Sequence, residues 1–106
     1  MIVFTLLIEV PSEQKANAIS LFESVVERIS VQPGNESINL YYQMYHQNEL
    51  FLVSKWKSFE ELEHHIQSGP FRKILAMMDL AVKEPEIKFY NVSSTMGFEL
   101  IEKIRG

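Results

Sequence analysis

The chain has 106 residues, 46% of them hydrophobic, which predicts a single domain (residues 1–106) with a small core. Its formal net charge is −4 and its longest basic run is Arg72-Lys73, so nucleic acid and anionic membrane surfaces are not expected as partners. The absence of cysteine excludes disulfides, thiolate metal sites and cysteine nucleophiles.

The first predicted element is a strand from Ile2 to Val10, which is apolar on both alternating faces, as is typical of a strand in the middle of a sheet. This stretch lacks the basic start and small-residue cleavage site of a secretion signal, and Pro11 follows far short of a membrane span, so we expect a cytoplasmic protein. Ser12 then opens a helix to about Ile29, with apolar residues at three-and-four spacing: Ala18, Ile19, Phe22, Val25, Val26 and Ile29.

Two strands are predicted next, after a turn at 33–35. The segment from Ser37 to His46 alternates between apolar and more polar residues and predicts an outer strand. Gln47-Asn48 is short enough for a hairpin turn into a strand from Glu49 to Trp56, whose residues 50–53 are apolar on both faces.

The second helical region consists of two segments. Ser58 and Glu61 have the Ser-x-x-Glu spacing of a capping box, and Gly69-Pro70 ends one helix and starts the next. The residues predicted to face inward are Phe59, Leu62, Ile66, Phe71, Ile74, Leu75, Met78 and Val82. Glu86 to Val92 predicts a second outer strand, and the tail (residues 94–106) carries apolar residues at helical spacing: Phe98, Ile101 and Ile104.

The order β-α-β-β-α-β plus a tail predicts an α+β fold with a ferredoxin-like antiparallel sheet, in which the first and third strands are central. Two helical layers cover only one face of such a sheet, so apolar residues of the other face, such as Val3 and Leu7, would lie in water. Because pairing with a second copy across a two-fold axis buries that face, we expect a homodimer.

The residues from the end of the third strand through the second helical region have a spacing that resembles that of the antibiotic-biosynthesis-monooxygenase domain family. The residues that carry this resemblance are Trp56, Ser58, Leu62, His65, Ser68 and Phe71. The resemblance extends over the whole chain in element order, and it implies a ferredoxin-like unit that dimerises through its sheet as a dimeric α/β barrel. The family includes cofactor-free oxygenases of aromatic polyketides and quinols, haem-degrading enzymes and an isomerase of a signalling sugar derivative.

Two departures from the family pattern narrow what the resemblance implies. The polyketide oxygenases carry an asparagine four residues before their tryptophan, where this chain has Leu52. The haem-degrading branch has a tryptophan nine residues after the strand tryptophan, where this chain has His65. It also has a haem-ligating histidine about one helix later, and the corresponding residue here is approximately Leu75. Haem degradation is therefore not expected, and the chain is most similar to the quinol-monooxygenase-like group.

The candidate site is a mostly apolar cavity lined by Trp56 and His65, with Leu52, Leu62 and Phe71 as further substrate-binding residues. Since Trp56 ends a strand directly before the helix cap, the helix must fold back and bring His65 toward the indole. A half-buried imidazole can act as a general base. A core tryptophan and a histidine bonded to backbone or water are the structural alternatives, and His64 is expected to be solvated.

The leading functional hypothesis is a monooxygenase that oxidises a small electron-rich aromatic such as a hydroquinone, with His65 as the catalytic base. No metal is expected, because His46, His64 and His65 lack metal-ligand spacing. No cofactor is expected either, which is what the resemblance to cofactor-free oxygenases implies. One alternative is a non-catalytic dimer that binds a small apolar metabolite. Another is an isomerase of a small signalling metabolite. If that metabolite is phosphorylated, the scarcity of cationic residues near the site argues against this alternative.

Overall fold

The computed structural model describes all 106 residues, and the elements follow the predicted order with one helix at the end. Their bounds are β1 Ile2–Glu9, a 3-10 turn Ser12–Gln14, α1 Lys15–Ser30, β2 Asn35–Gln43, β3 His46–Trp56, α2 Phe59–Ile66, α3 Gly69–Met78, β4 Glu86–Asn91 and α4 Phe98–Arg105. No helix combines the length and the apolar character that crossing a membrane requires.

The strands form one antiparallel sheet in the order β2-β3-β1-β4, which confirms that the first and third strands are central. Leu6 of β1 lies between Leu52 of β3 and Ile87 of β4. Helices cover one face of this sheet, and the core lies between them and the residues that point toward them, such as Phe4 and Leu50. The architecture is thus the α+β fold with a four-stranded antiparallel sheet that the sequence predicts.

The hairpin between β2 and β3 turns earlier than the sequence predicts. Gln43 pairs with His46 across a turn made by Met44 and Tyr45, so Gln47 lies within a strand. The prediction relied on the polar turn residues of this segment. Pairing with β1 extends β3 at its start, where Glu49 lies opposite Glu9, and this tertiary pairing overrides the local turn preference.

Four apolar residues predicted to face inward from the second helical region are instead exposed: Phe59, Ile66, Leu75 and Val82. The buried side chains are Leu62 and His65 in α2 and Phe71, Ile74 and Met77 in α3. They recur every three residues, so each short helix touches the sheet along one narrow edge. Because His65 occupies a buried position, the first helix turns Phe59 and Ile66 away from the core.

The face of the sheet opposite the helices has no covering layer within the chain. Its centre is apolar: Val3, Leu7 and Phe51 are half-buried there, and Tyr41 and Tyr90 are exposed beside them. We call this surface the open face.

The C-terminal helix α4 forms at the predicted spacing but buries none of its residues. Phe98, Ile101 and Ile104 are 68%, 52% and 74% exposed. The helix that this spacing indicates is therefore present, and none of its residues is buried against the rest of the chain.

Candidate functional site

The indole of Trp56 and the imidazole of His65 stack on each other at the junction of β3 and α2, with ring centroids 4.3 Å apart and an interplanar angle of 22°. Trp56 is 0% and His65 2% exposed. Trp56 is anchored by its Nε1–H, which donates to Ser54 Oγ at 2.9 Å. Ser58 Oγ accepts from the Glu61 backbone N–H at 3.4 Å, so the predicted cap starts α2 immediately after the strand.

Hydrogen bonds around His65 fix its tautomer. Ser68 Oγ donates to the His65 carbonyl at 2.6 Å, since a carbonyl oxygen cannot donate. The same hydroxyl oxygen therefore accepts from Gln32 Nε2 at 3.1 Å, which orients Gln32 Oε1 toward His65 Nδ1, 2.8 Å away. Nδ1 must then carry the proton and donate, leaving Nε2 as a bare acceptor that is buried and has no hydrogen-bond partner in the protein.

Burial lowers the pKa of His65 from its ordinary value of 6.5 to about 4. A charged imidazolium would lose its hydration in this environment, and no carboxylate makes a hydrogen bond or ion pair with the ring to offset that loss. The imidazole is consequently neutral at pH 7.

The lowered pKa of His65 predicts a stability change with pH. Between pH 6.5 and 4 the unfolded chain protonates this histidine and the folded protein does not, so the free energy of unfolding should fall as the pH falls. The loss should reach about 3 kcal/mol. Urea unfolding of the wild type and His65→Gln at pH 7, 5.5 and 4 measures it as the difference between their pH slopes. His64→Gln, which alters an exposed neighbour, should keep the wild-type slope, and equal slopes for wild type and His65→Gln would contradict the prediction.

The other three predicted site residues are buried on the core side of His65. The Phe71 ring meets the His65 ring edge-on at 5.1 Å between centroids. Leu52 and Leu62 are 1% and 2% exposed and belong to the core. The structure thus brings Trp56, His65 and Phe71 into direct contact and places the two leucines in the packed layer around them.

A cleft of about 470 Å³ reaches His65 from the outer side, and the residues that line it are Gln32, Pro33, Ser58, Glu60, Glu61, His64 and His65. The prediction of a mostly apolar cavity lined by both Trp56 and His65 is therefore wrong. The imidazole covers the indole, and the core side chains fill the space between sheet and helices. His64 is exposed, as expected, at this cleft.

Glu61 belongs to the cleft in a way that local sequence pattern did not reveal. Its carboxylate lies against Gly34, where an added Cβ would overlap Glu61 Oε2, and Gly34 has a φ of +81° that favours glycine. One oxygen, Oε2, is buried without a hydrogen-bond partner in the protein. The second half of the predicted capping box is thus absent, because the carboxylate contacts the loop before β2 instead of returning to Ser58.

A second cluster joins His46 to two carboxylates at the far end of the sheet. The ligand atoms of Glu9, His46 and Glu49 lie within 4.8 Å of one another, an arrangement that histidine spacing alone could not show. Lys83 Nζ lies 3.7 Å from Glu9, and Gln43 Nε2 donates to Glu49 at 2.7 Å. These partners offset the repulsion of two carboxylates placed opposite each other on neighbouring strands, so the cluster is accounted for as a structural one.

Comparison with known proteins adds a family match. The family model described as antibiotic biosynthesis monooxygenase matches residues 1–77, which include Trp56, Glu61 and His65. The uncharacterized protein sll1783 of Synechocystis sp. is 27% identical over 89 residues, which are 83% of this chain and 60% of that protein. The chain therefore spans less than two thirds of that relative's length.

Two solved structures share the fold. A crystal structure of an antibiotic biosynthesis monooxygenase has a TM-score of 0.80 and 13% identity, over 89% of this chain and 100% of that one. The structure of a conserved protein from Methanosarcina mazei Go1 has a TM-score of 0.78 and 24% identity, over 85% of this chain and 90% of that one. At these identities the similarity establishes the architecture alone.

Proposed function

The chain belongs to the antibiotic biosynthesis monooxygenase family, and from that premise we propose that it oxidises a small electron-rich aromatic such as a hydroquinone without a cofactor. The observation that carries the proposal is the bare Nε2 of a neutral, buried His65, held by Gln32 and backed by Trp56. Such a nitrogen can accept a proton from a substrate hydroxyl.

The proposed reaction starts with transfer of a hydroxyl proton from the hydroquinone to His65 Nε2. The resulting anion passes electrons to O₂; one oxygen atom is inserted into a ring C–H bond to give a hydroxyl group, and the other leaves as water with the two hydrogens that the hydroquinone loses. Hydroquinone plus O₂ then gives hydroxybenzoquinone plus water, in which all atoms balance. A simple oxidase would instead produce quinone and H₂O₂, so the two products distinguish these reactions.

The surroundings of His65 suit a base that is charged only during the reaction. An imidazole with a pKa of about 4 is a weak base in the free protein. A phenolate formed beside Nε2 raises the pKa of the imidazole, because opposite charges favour each other strongly in a site that excludes water. The indole face of Trp56 further stabilises an imidazolium through a cation–π interaction.

In this proposal Trp56, Phe71, Leu52 and Leu62 form the apolar layer behind His65, on the side away from the cleft. The rings of Trp56 and Phe71 contact the imidazole, which supports a role in fixing its orientation. The two leucines exclude water behind them. A substrate would approach from the cleft that reaches His65 on its outer side.

Oxygen uptake tests the proposal. The metal-free protein is mixed with a panel of hydroquinones and anthrones in an oxygen electrode, and we expect uptake with a hydroxylated product and no stoichiometric H₂O₂. Saturable binding without oxygen uptake for any member of the panel would overturn the oxygenase and favour the second candidate, a non-catalytic binder. That candidate is supported by the near-complete burial of Trp56 and His65.

Isomerase action on a phosphorylated substrate is disfavoured, because Glu60 and Glu61 line the cleft and no lysine or arginine does.

We also infer that two copies associate through the open face as a homodimer. The support is the apolar centre of that face on the two central strands, where Val3, Leu7 and Phe51 lie next to exposed tyrosines. A contiguous apolar patch of this kind is uncommon on a protein that remains a monomer.

A further inference from the structure

We propose that Glu61 and His65 together form a paired acceptor site that selects aromatic substrates with two free hydroxyl groups. One hydroxyl donates to His65 Nε2 and the second donates to Glu61 Oε2. The inference rests on the proposed function for the role of the first hydroxyl and adds a residue that determines specificity through the second.

Both acceptors are buried and unpaired. Glu61 Oε2 and His65 Nε2 are the two buried side-chain polar atoms of the chain that have no hydrogen-bond partner in the protein. Leaving a buried polar atom without a partner is costly, so such atoms call for a specific explanation. That both occur in residues lining the same cleft indicates a ligand site rather than two unrelated packing defects.

The helix sets the spacing of the pair. Glu61 and His65 are four residues apart in α2, so their side chains project from the same face, with Cβ atoms roughly 6 Å apart. Side chains with this Cβ spacing can both contact one small molecule. A carboxylate has no hydrogen to donate, and the Nδ1–H tautomer leaves Nε2 none, so the complementary ligand must supply both hydrogens.

One loop positions both acceptors. Gln32 holds His65 Nδ1 at 2.8 Å, and two residues later Gly34 allows the carboxylate of Glu61 to lie against the backbone. Any side chain at position 34 would displace that carboxylate, because an added Cβ would overlap its Cδ. The loop between α1 and β2 therefore orients the two groups relative to each other.

The charge of the cleft selects against anions. Glu60 and Glu61 both line it and no lysine or arginine does, so phosphates and carboxylates are repelled. A neutral diol supplies a hydrogen to each acceptor without bringing an anionic group into the cleft. A hydroxyl that donates to the Glu61 carboxylate also becomes more electron-rich, which assists electron transfer from the ring to O₂.

Calorimetric binding under anaerobic conditions tests the paired site. Hydroquinone is compared with 4-methoxyphenol, in which one hydroxyl is blocked, on the full chain. We expect wild type to bind hydroquinone at least about tenfold more tightly, as a hydrogen bond to a charged acceptor implies. Glu61→Ala should lose this preference while keeping its affinity for 4-methoxyphenol, whereas Glu63→Ala, an exposed carboxylate of the same helix, should keep the preference.

Several results would overturn the paired site: no binding of either ligand, a preference that survives in Glu61→Ala, or an equal loss of affinity for both ligands. If Glu61→Ala does not fold, judged by its thermal midpoint, Glu61→Gln replaces it and should reduce the preference. The two proposals fail separately. A diol preference that depends on Glu61 without oxygen uptake leaves the paired site standing, and oxygen uptake without that preference leaves the oxygenase standing.

Discussion

Replacing His65 with glutamine is expected to lower kcat for hydroquinone oxidation by roughly 100- to 10,000-fold, which is the usual contribution of a positioned general base. Glutamine retains a polar group that can contact Gln32, but its amide cannot accept a proton at neutral pH. The substrate still occupies the cleft, so KM should change much less than kcat, as expected for an interaction made mainly in the transition state. Steady-state oxygen uptake at several hydroquinone concentrations separates the two constants.

The matched control for this variant is His46→Gln, which makes the same replacement at an exposed histidine beside Glu9, away from the cleft. It should retain the wild-type kcat. A kcat for His65→Gln within threefold of wild type, in a protein with an unchanged circular dichroism spectrum, would remove His65 from the role of base. A rise in KM at constant kcat would assign it to binding alone.

Leu7→Lys is expected to weaken self-association at least about a hundredfold, because a lysine buried at an apolar interface loses its hydration without a built partner. Leu7 lies on the open face of β1, with Phe51 of β3 on one side and Glu86 of β4 on the other. In a separated protomer the new ammonium group can interact with Glu86 and with water. The fold should therefore survive, which separates dissociation from unfolding.

Light scattering coupled to size exclusion measures this effect over a range of protein concentrations, with wild type expected at twice the mass of one chain. Ser20→Lys adds the same charge on the exposed side of α1 and should leave the mass unchanged. Val3→Lys provides a second variant on the open face. A wild-type protein that is monomeric at micromolar concentration, or a Leu7→Lys protein as dimeric as wild type, would contradict the inferred dimer.

Periodicity was sufficient to predict the sheet, because each central strand is apolar on both of its alternating faces and that property depends only on sequence. The position of Trp56 directly before the capped helix also predicted that the indole meets His65, because the helix has one direction in which to return across the strand. The buried face of α2 was less predictable. The apolar pattern predicted that Phe59 and Ile66 are buried, whereas the structure buries a histidine that gains an aromatic stack and a hydrogen bond.

The parts of the site that sequence reasoning missed depend on contacts between distant residues. Gln32 and His65 are 33 positions apart, and nothing in the local composition of the loop identifies Gln32 as the partner of an imidazole. The contact of the Glu61 carboxylate with Gly34 is of the same kind, because the capping-box spacing indicated a return to Ser58. Local patterns thus located the helix that carries the site, and tertiary contacts decided which of its side chains are available for chemistry.

The unburied helix α4 has a consequence for backbone exchange with solvent. A helix of eight residues is only marginally stable in water without packing, and none of these eight is buried within its own chain. In a separated protomer its amide hydrogens should therefore be replaced by deuterium almost as quickly as those of an unstructured peptide. Slow replacement in this segment would reveal a covering surface supplied by another molecule, so the deuterium content of the C-terminal peptide reports whether Phe98 and Ile101 are in contact with one.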